Sequence, residues 1–163
     1  MTFNLTKDQI EIQQRARQIA STLVAENAVE VDKSEQYPWD NVKALTDAGF
    51  VGMTIPKEYG GPGRSFLEAN LVVEEMAAYC GPTGRIAVEA NMGAISAVMH
   101  YGTDFQKRLA AELVLAGDKP AICITEPDAG SAASQMTTRA DKRGDKYVIC
   151  LLYTSDAADE SRG

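Results

Sequence analysis

Histidine and tryptophan occur once each and cysteine three times in 163 residues. Each scarcity closes off a class of chemistry. A single histidine with no nearby cysteine pair leaves no ligand set for a structural zinc, so no metal site is expected. Cys80 and Cys123 lie in apolar surroundings and read as free core thiols of a reducing compartment, not as a disulfide framework. No apolar run reaches the roughly 20 residues that a membrane-spanning helix needs. Positive charge is also short: 16 Lys and Arg against 23 Asp and Glu leave a net charge of −7, which argues against a nucleic-acid or anionic-membrane surface. Lys7, Asp8, Glu11, Arg15 and Arg17 crowd the first turns, so the N-terminus does not read as a secretory signal and a cytoplasmic location is expected.

What is present is the composition of a soluble globular domain, 45% hydrophobic and 24% charged. Helix punctuation runs through the first two-thirds. Thr6 with Gln9 makes a capping box, and Ile10, Ile19, Leu23 and Val24 favour one face of a helix reaching about Val29. Pro38 starts a second helix through Trp39, Val42 and Leu45, which Gly49 ends. Gly52 to Gly63 holds four glycines and two prolines and must be a loop. Ser65 and Glu68 form another capping box, opening a helix towards Gly81. A helix from Thr83 to Tyr101 follows, and Thr103 with Gln106 caps one that stops at Gly117.

After Lys119-Pro120 the pattern changes. Ala121 to Thr125 reads as a buried strand, with two further strands, Gln135 to Ala140 and Lys146 to Ile149, around a hairpin at Arg143-Gly144-Asp145. The division is therefore an all-helical domain over 1–120 and the start of a truncated β domain over 121–149, a mainly α fold. From Cys150 the chain changes composition abruptly, and Asp156 to Gly163 has no apolar periodicity. This stretch resembles the translation of a sequencing adapter, so 150–163 is expected to be a non-biological tail and is set aside from the fold.

The most informative segment is Ile122-Cys-Ile-Thr-Glu-Pro-Asp-Ala-Gly-Ser131, an apolar run that opens into a loop of hydroxyls and backbone N–H groups. It resembles the flavin-contacting strand and loop of the acyl-CoA dehydrogenase family. Phe3 to Gln9, Gly49 to Gly63, and Tyr101-Gly-Thr103 with Gln106-Lys107 resemble other stations of that family in the same order. The resemblance implies FAD as cofactor and acyl-CoA as substrate. Ile122, Cys123, Ile124, Thr125, Gly130 and Ser131 would contact the cofactor, and Ser131 would reach the acyl-CoA or the cofactor phosphates. Local turn capping is the plain alternative for Thr125 and Ser131. Many relatives carry an acid after the Gly-Ser pair, where this chain has Ala132.

The resemblance also implies that the catalytic base lies in a C-terminal helical domain beyond this sequence. No carboxylate here is assigned to catalysis, and Glu74, Glu75 and Glu126 are read as helix-surface or loop charges. A full-length protein would form homo-oligomers and, as a true dehydrogenase, pass electrons to an electron-transfer flavoprotein.

Arg85 and Glu89 stand four residues apart on one predicted helix. The corresponding stretch of the family closes the far end of the acyl pocket, so this pair is taken as substrate-binding. The planar guanidinium fork of Arg85 suits a carboxylate or sulfinate on a short acyl chain. The bland alternative is a surface ion pair worth about 0.3–0.5 kcal/mol. Glu35 to Val42, Gly84 to Ile86, Gly117 to Cys123, Gly130 to Ser134 and Met136 to Asp141 resemble the 3-sulfinopropionyl-CoA desulfinase branch, which would release sulfite without net redox. From a different class, amphipathic helices are also compatible with a non-catalytic interaction module.

Overall fold

The computed structural model describes residues 4–122 and 124–150, and the chain divides into two compact units, 1–121 and 122–163. Cys123 and the suspected tail from residue 151 lie outside the described residues. No described helix is long and apolar enough to cross a membrane.

The first unit is helical throughout. α1 (Lys7–Ile19), a π-helical turn (Ala20–Val24) and α2 (Ala25–Ser34) form one continuous helix. The Thr22 hydroxyl donates to the Gln18 carbonyl at 2.8 Å beside the widened turn. The helix runs past Val29 because no glycine or proline interrupts it before Glu35, which closes it in the left-handed region at φ 55°. α3 (Trp39–Asp47), α4 (Phe66–Ala77), α5 (Gly81–Asn91), α6 (Ala94–Tyr101) and α7 (Asp104–Leu115) follow. The capping boxes read from sequence at Thr6, Ser65 and Thr103 are all formed, each with its reciprocal side-chain bond. α4 stops at Ala77, short of Gly81.

The core lies where these helices meet, around Val24, Leu45, Phe50, Met53, Ile55, Val72, Met76 and Ile95, all buried. On α1 the buried positions are Ile12 and Ala16, while Ile10 is 40% exposed, contrary to its assignment to the apolar face. Small alanines let the packed helices approach closely. Arg17 crosses to α4 and donates twice to the buried Glu75, at 2.9 and 2.7 Å. Glu75 is therefore a buried ion-pair partner, a correction to its reading as a surface charge.

The helix expected over Thr83 to Tyr101 is two helices, broken at Met92-Gly93. At the break the Asn91 carbonyl accepts from the Thr54 hydroxyl, a partner outside its own helix. A tertiary bond thus replaces continuation of the helical ladder.

In the second unit, β1 (Arg139–Arg143) and β2 (Lys146–Cys150) pair antiparallel, Arg143 opposite Lys146, and Gly144 turns the hairpin at φ 66°. Among the described residues of the stretch Ala121 to Thr125, the expected strand is not formed. Residues 126 and 129 exchange two 3.2 Å backbone bonds in an isolated bridge, and Ile122 and Ile124 are 43% and 48% exposed. An apolar run becomes a buried strand only beside a neighbour whose ladder it can join, and among the described residues β1 and β2 pair with each other.

Gly84 lets α5 pack closely on α4: a Cβ there would lie 2.6 Å from the Ala77 Cβ and 2.8 Å from its Cα, whereas one at Gly81 would meet nothing within 4 Å. Gly84→Ala is expected to cost about 1–3 kcal/mol through overpacking, and Gly81→Ala to be neutral or slightly stabilising. Urea denaturation of both variants checks this, and equal effects would show that α4 and α5 are not in close contact in solution.

Candidate functional site

α5 carries the Arg85–Glu89 pair, and its position is set by bonds on two sides of the helix. The buried Asn41 side chain of α3 donates to the Thr83 hydroxyl at 2.8 Å and accepts from Asn27 at 2.8 Å. At the other end the buried Asn91 side chain donates to the carbonyls of Phe50 and Ala87, both at 2.9 Å, and accepts from the Met53 N–H at 2.7 Å. These bonds take up main-chain groups of the loop after Gly49, groups that burial would otherwise leave unsatisfied. Neither Asn41 nor Asn91 was singled out from sequence. The available signal was an asparagine inside an otherwise apolar helical stretch, where it needs a buried partner.

With Thr83, Gly84, Ala87, Ala90 and Asn91 buried, Arg85 and Glu89 fall on the margin of α5. The Arg85 guanidinium pairs through one Nη with Glu89 Oε1, and the two side chains are 66% and 14% exposed. Arg85 makes no other bond within the described residues. The second carboxylate oxygen of Glu89 is buried without a hydrogen-bond partner there. The pair is thus asymmetric, an exposed cation on a largely buried anion.

The predicted cofactor residues fall in the second unit. Ile122, Ile124, Thr125, Gly130 and Ser131 are exposed along one segment, while Cys123 lies outside the described residues. Ile124 and Thr125 make no backbone hydrogen bonds within the described residues. What organises this segment is Glu126, read from sequence as a plain loop charge. Its carboxylate is nearly buried and accepts from the Thr137 N–H at 2.7 Å, the Thr137 hydroxyl at 2.9 Å and the Thr138 N–H at 2.8 Å. These donors, led by the Thr137 N–H, hold its pKa down from 4.5 to about 2.

An open groove of about 530 Å³ between α6 and α7 is lined by Ala97, Val98, Tyr101, Gln106, Leu109 and Leu113, among others. It contains neither Arg85 nor Glu89. No group of His, Cys, Asp and Glu side chains among the described residues could hold a metal ion.

Residues 6–118 match the family model of the acyl-CoA dehydrogenase N-terminal domain. The chain belongs to the acyl-CoA dehydrogenase family. It is 60% identical over 147 residues to a 3-sulfinopropanoyl-CoA desulfinase from Variovorax paradoxus, covering 90% of this chain and 37% of that protein. It is 37% identical over 150 residues to a short-chain specific acyl-CoA dehydrogenase from Clostridium acetobutylicum, covering 91% of this chain and 40% of the relative. Among solved structures it is similar to a glutaryl-CoA dehydrogenase from Mycobacterium smegmatis in complex with FADH2, with a TM-score of 0.79 and 26% identity over 89% of this chain and 38% of that one. The chain thus spans well under half the length of these acyl-CoA dehydrogenase relatives.

The Glu126 contact predicts a pH dependence. Its folded pKa lies below the ordinary value, so the stability it contributes is fully present above about pH 4.5 and is lost as pH falls through about 2. An NMR titration of the Glu126 carboxyl carbon should show a midpoint near 2. A midpoint at the ordinary value would mean that the Thr137–Thr138 contact is absent in solution.

Proposed function

We propose that this chain is the N-terminal part of an FAD-dependent enzyme that acts on a short acyl-CoA carrying an anionic terminal group. The observation behind the substrate class is Arg85, a guanidinium held at one corner by Glu89 and otherwise open. Its remaining N–H groups can donate to two oxygens of a carboxylate or sulfinate, a geometry that a neutral acyl chain cannot use. On this reading residues 1–120 are the helical domain and 121–149 open a β domain.

The segment from Ile122 to Ser131 suits a flavin. Ile122 and Ile124 offer exposed apolar surface, while the Thr125 and Ser131 hydroxyls and the open backbone of Ile124 and Thr125 offer hydrogen bonds. A Cβ at Gly130 would meet nothing within 4 Å, so the backbone there is open to close approach. Bound FAD would supply the two-electron acceptor for dehydrogenation. Glu126, committed to Thr137 and Thr138, supports the loop and is not available as a base. The base belongs to the remainder of the protein, as do homo-oligomer contacts and, for a dehydrogenase, the docking of an electron-transfer flavoprotein.

A second reading is favoured by the 60% identity to a desulfinase. In that reading the terminal group is a sulfinate, the C–S bond breaks, sulfite leaves and no net electron transfer occurs. In both readings Arg85 holds the anionic end.

In the full-length, FAD-loaded enzyme, Arg85→Ala should raise KM for an acidic acyl-CoA at least about tenfold while leaving the Kd for butyryl-CoA nearly unchanged. An unchanged KM for the acidic acyl-CoA sinks the anionic-substrate reading. Sulfite release from 3-sulfinopropanoyl-CoA without reduction of an added acceptor carries the desulfinase reading. Acceptor reduction by an acidic acyl-CoA carries the dehydrogenase one.

A further inference from the structure

We infer that Glu89 is a positioning residue that aims Arg85, and that Gly93 is a glycine because the Glu89 carboxylate needs the space a side chain would fill. The inference rests on the reading of Arg85 as the anion-binding group and adds what controls its orientation.

Three observations meet here. Glu89 Oε1 takes one Nη of Arg85, fixing one corner of the guanidinium. The Glu89 side chain is 14% exposed against 66% for Arg85, so the carboxylate is the packed member of the pair and the guanidinium the open one. The second oxygen, Oε2, is buried without a partner and lies where a Cβ on Gly93 would come within 2.1 Å. A carboxylate tucked into the break between α5 and α6 in this way gains nothing from Oε2 itself. Among the described residues the carboxylate acts through Oε1, on Arg85.

Charge supports the same role. An unpaired arginine on a long flexible stem samples many directions and attracts any anion. Pairing one corner with a largely buried carboxylate lowers that general attraction and presents the opposite edge in a preferred direction, so that less rotamer freedom remains to be lost when a substrate binds. Break the pair, and Arg85 still carries its charge but no longer points consistently.

Gly93 gives the inference its specific test. The nearest atom to an added Cβ is the far end of a flexible side chain, Glu89 Oε2, with the Glu89 carboxyl carbon next at 2.9 Å and its Cα at 3.2 Å. Gly93→Ala should therefore displace the carboxylate while the two helices largely keep their packing. An aspartate at position 89 is one methylene shorter and withdraws from that Cβ.

The experiment uses the full-length, FAD-loaded enzyme and compares Glu89→Gln, Gly93→Ala and the double variant Gly93→Ala/Glu89→Asp with wild type and Arg85→Ala. KM and kcat are measured for an acidic acyl-CoA, and the Kd for butyryl-CoA from the change it causes in the flavin spectrum. Glu89→Gln and Gly93→Ala should each raise KM for the acidic substrate about tenfold, Gly93→Ala should leave the Kd for butyryl-CoA within about twofold, and the double variant should recover part of the loss. If Arg85→Ala raises the acidic KM but Glu89→Gln and Gly93→Ala do not, the positioning role is overturned and the anion-binding reading stands. If Arg85→Ala has no effect, that reading falls, and Glu89 has nothing to position. Equal losses on both substrates would mark a general structural role and overturn the inference as well.

Discussion

A glycine-rich loop has little side-chain surface with which to hold itself in place, and one asparagine ties this one to α5 at three points. Asn91 receives the Met53 N–H and caps the Phe50 carbonyl with its side chain, while its own carbonyl accepts from Thr54. The loop thereby closes over Phe50, Met53 and Ile55, three of the largest fully buried side chains. The same bonds end α5 and permit the break that follows. Without them the Met53 N–H and the Phe50 carbonyl would lose these partners inside the core, a cost that apolar packing would have to overcome. Position of α5, depth of the core and the turn into α6 are therefore one problem with one solution.

Much of the fold was legible because the signals were local. A threonine or serine three residues before Gln9, Glu68 or Gln106 needs no distant information to start a helix, and all three capping boxes formed. Gly144 turned the hairpin for the same reason. Failures came where a distant partner decided the outcome. The periodicity from Thr83 to Tyr101 is helical throughout, yet Thr54 takes the Asn91 carbonyl and the helix divides. The run at Ala121 to Thr125 has strand composition, yet no ladder receives it among the described residues.

The same distinction holds for the candidate site. The spacing of Arg85 and Glu89 placed them on one helix turn, and the structure pairs them. Spacing could not show that one member is packed and the other free, because that depends on Gly93 and on how α6 leaves α5. Nor could it show that Glu126 gathers Thr137 and Thr138, eleven and twelve residues away. A carboxylate in a turn has the same sequence signature whether it faces water or three donors.

The capping boxes bear on when the chain can fold as well as on how. Each sets the first turn of α1, α4 or α7 through contacts spanning three residues. Contacts that short form as soon as the residues exist, without waiting for a distant segment. Synthesis delivers residues in order and slowly by comparison. The helical unit can thus begin to take on its secondary structure while later residues are still being added.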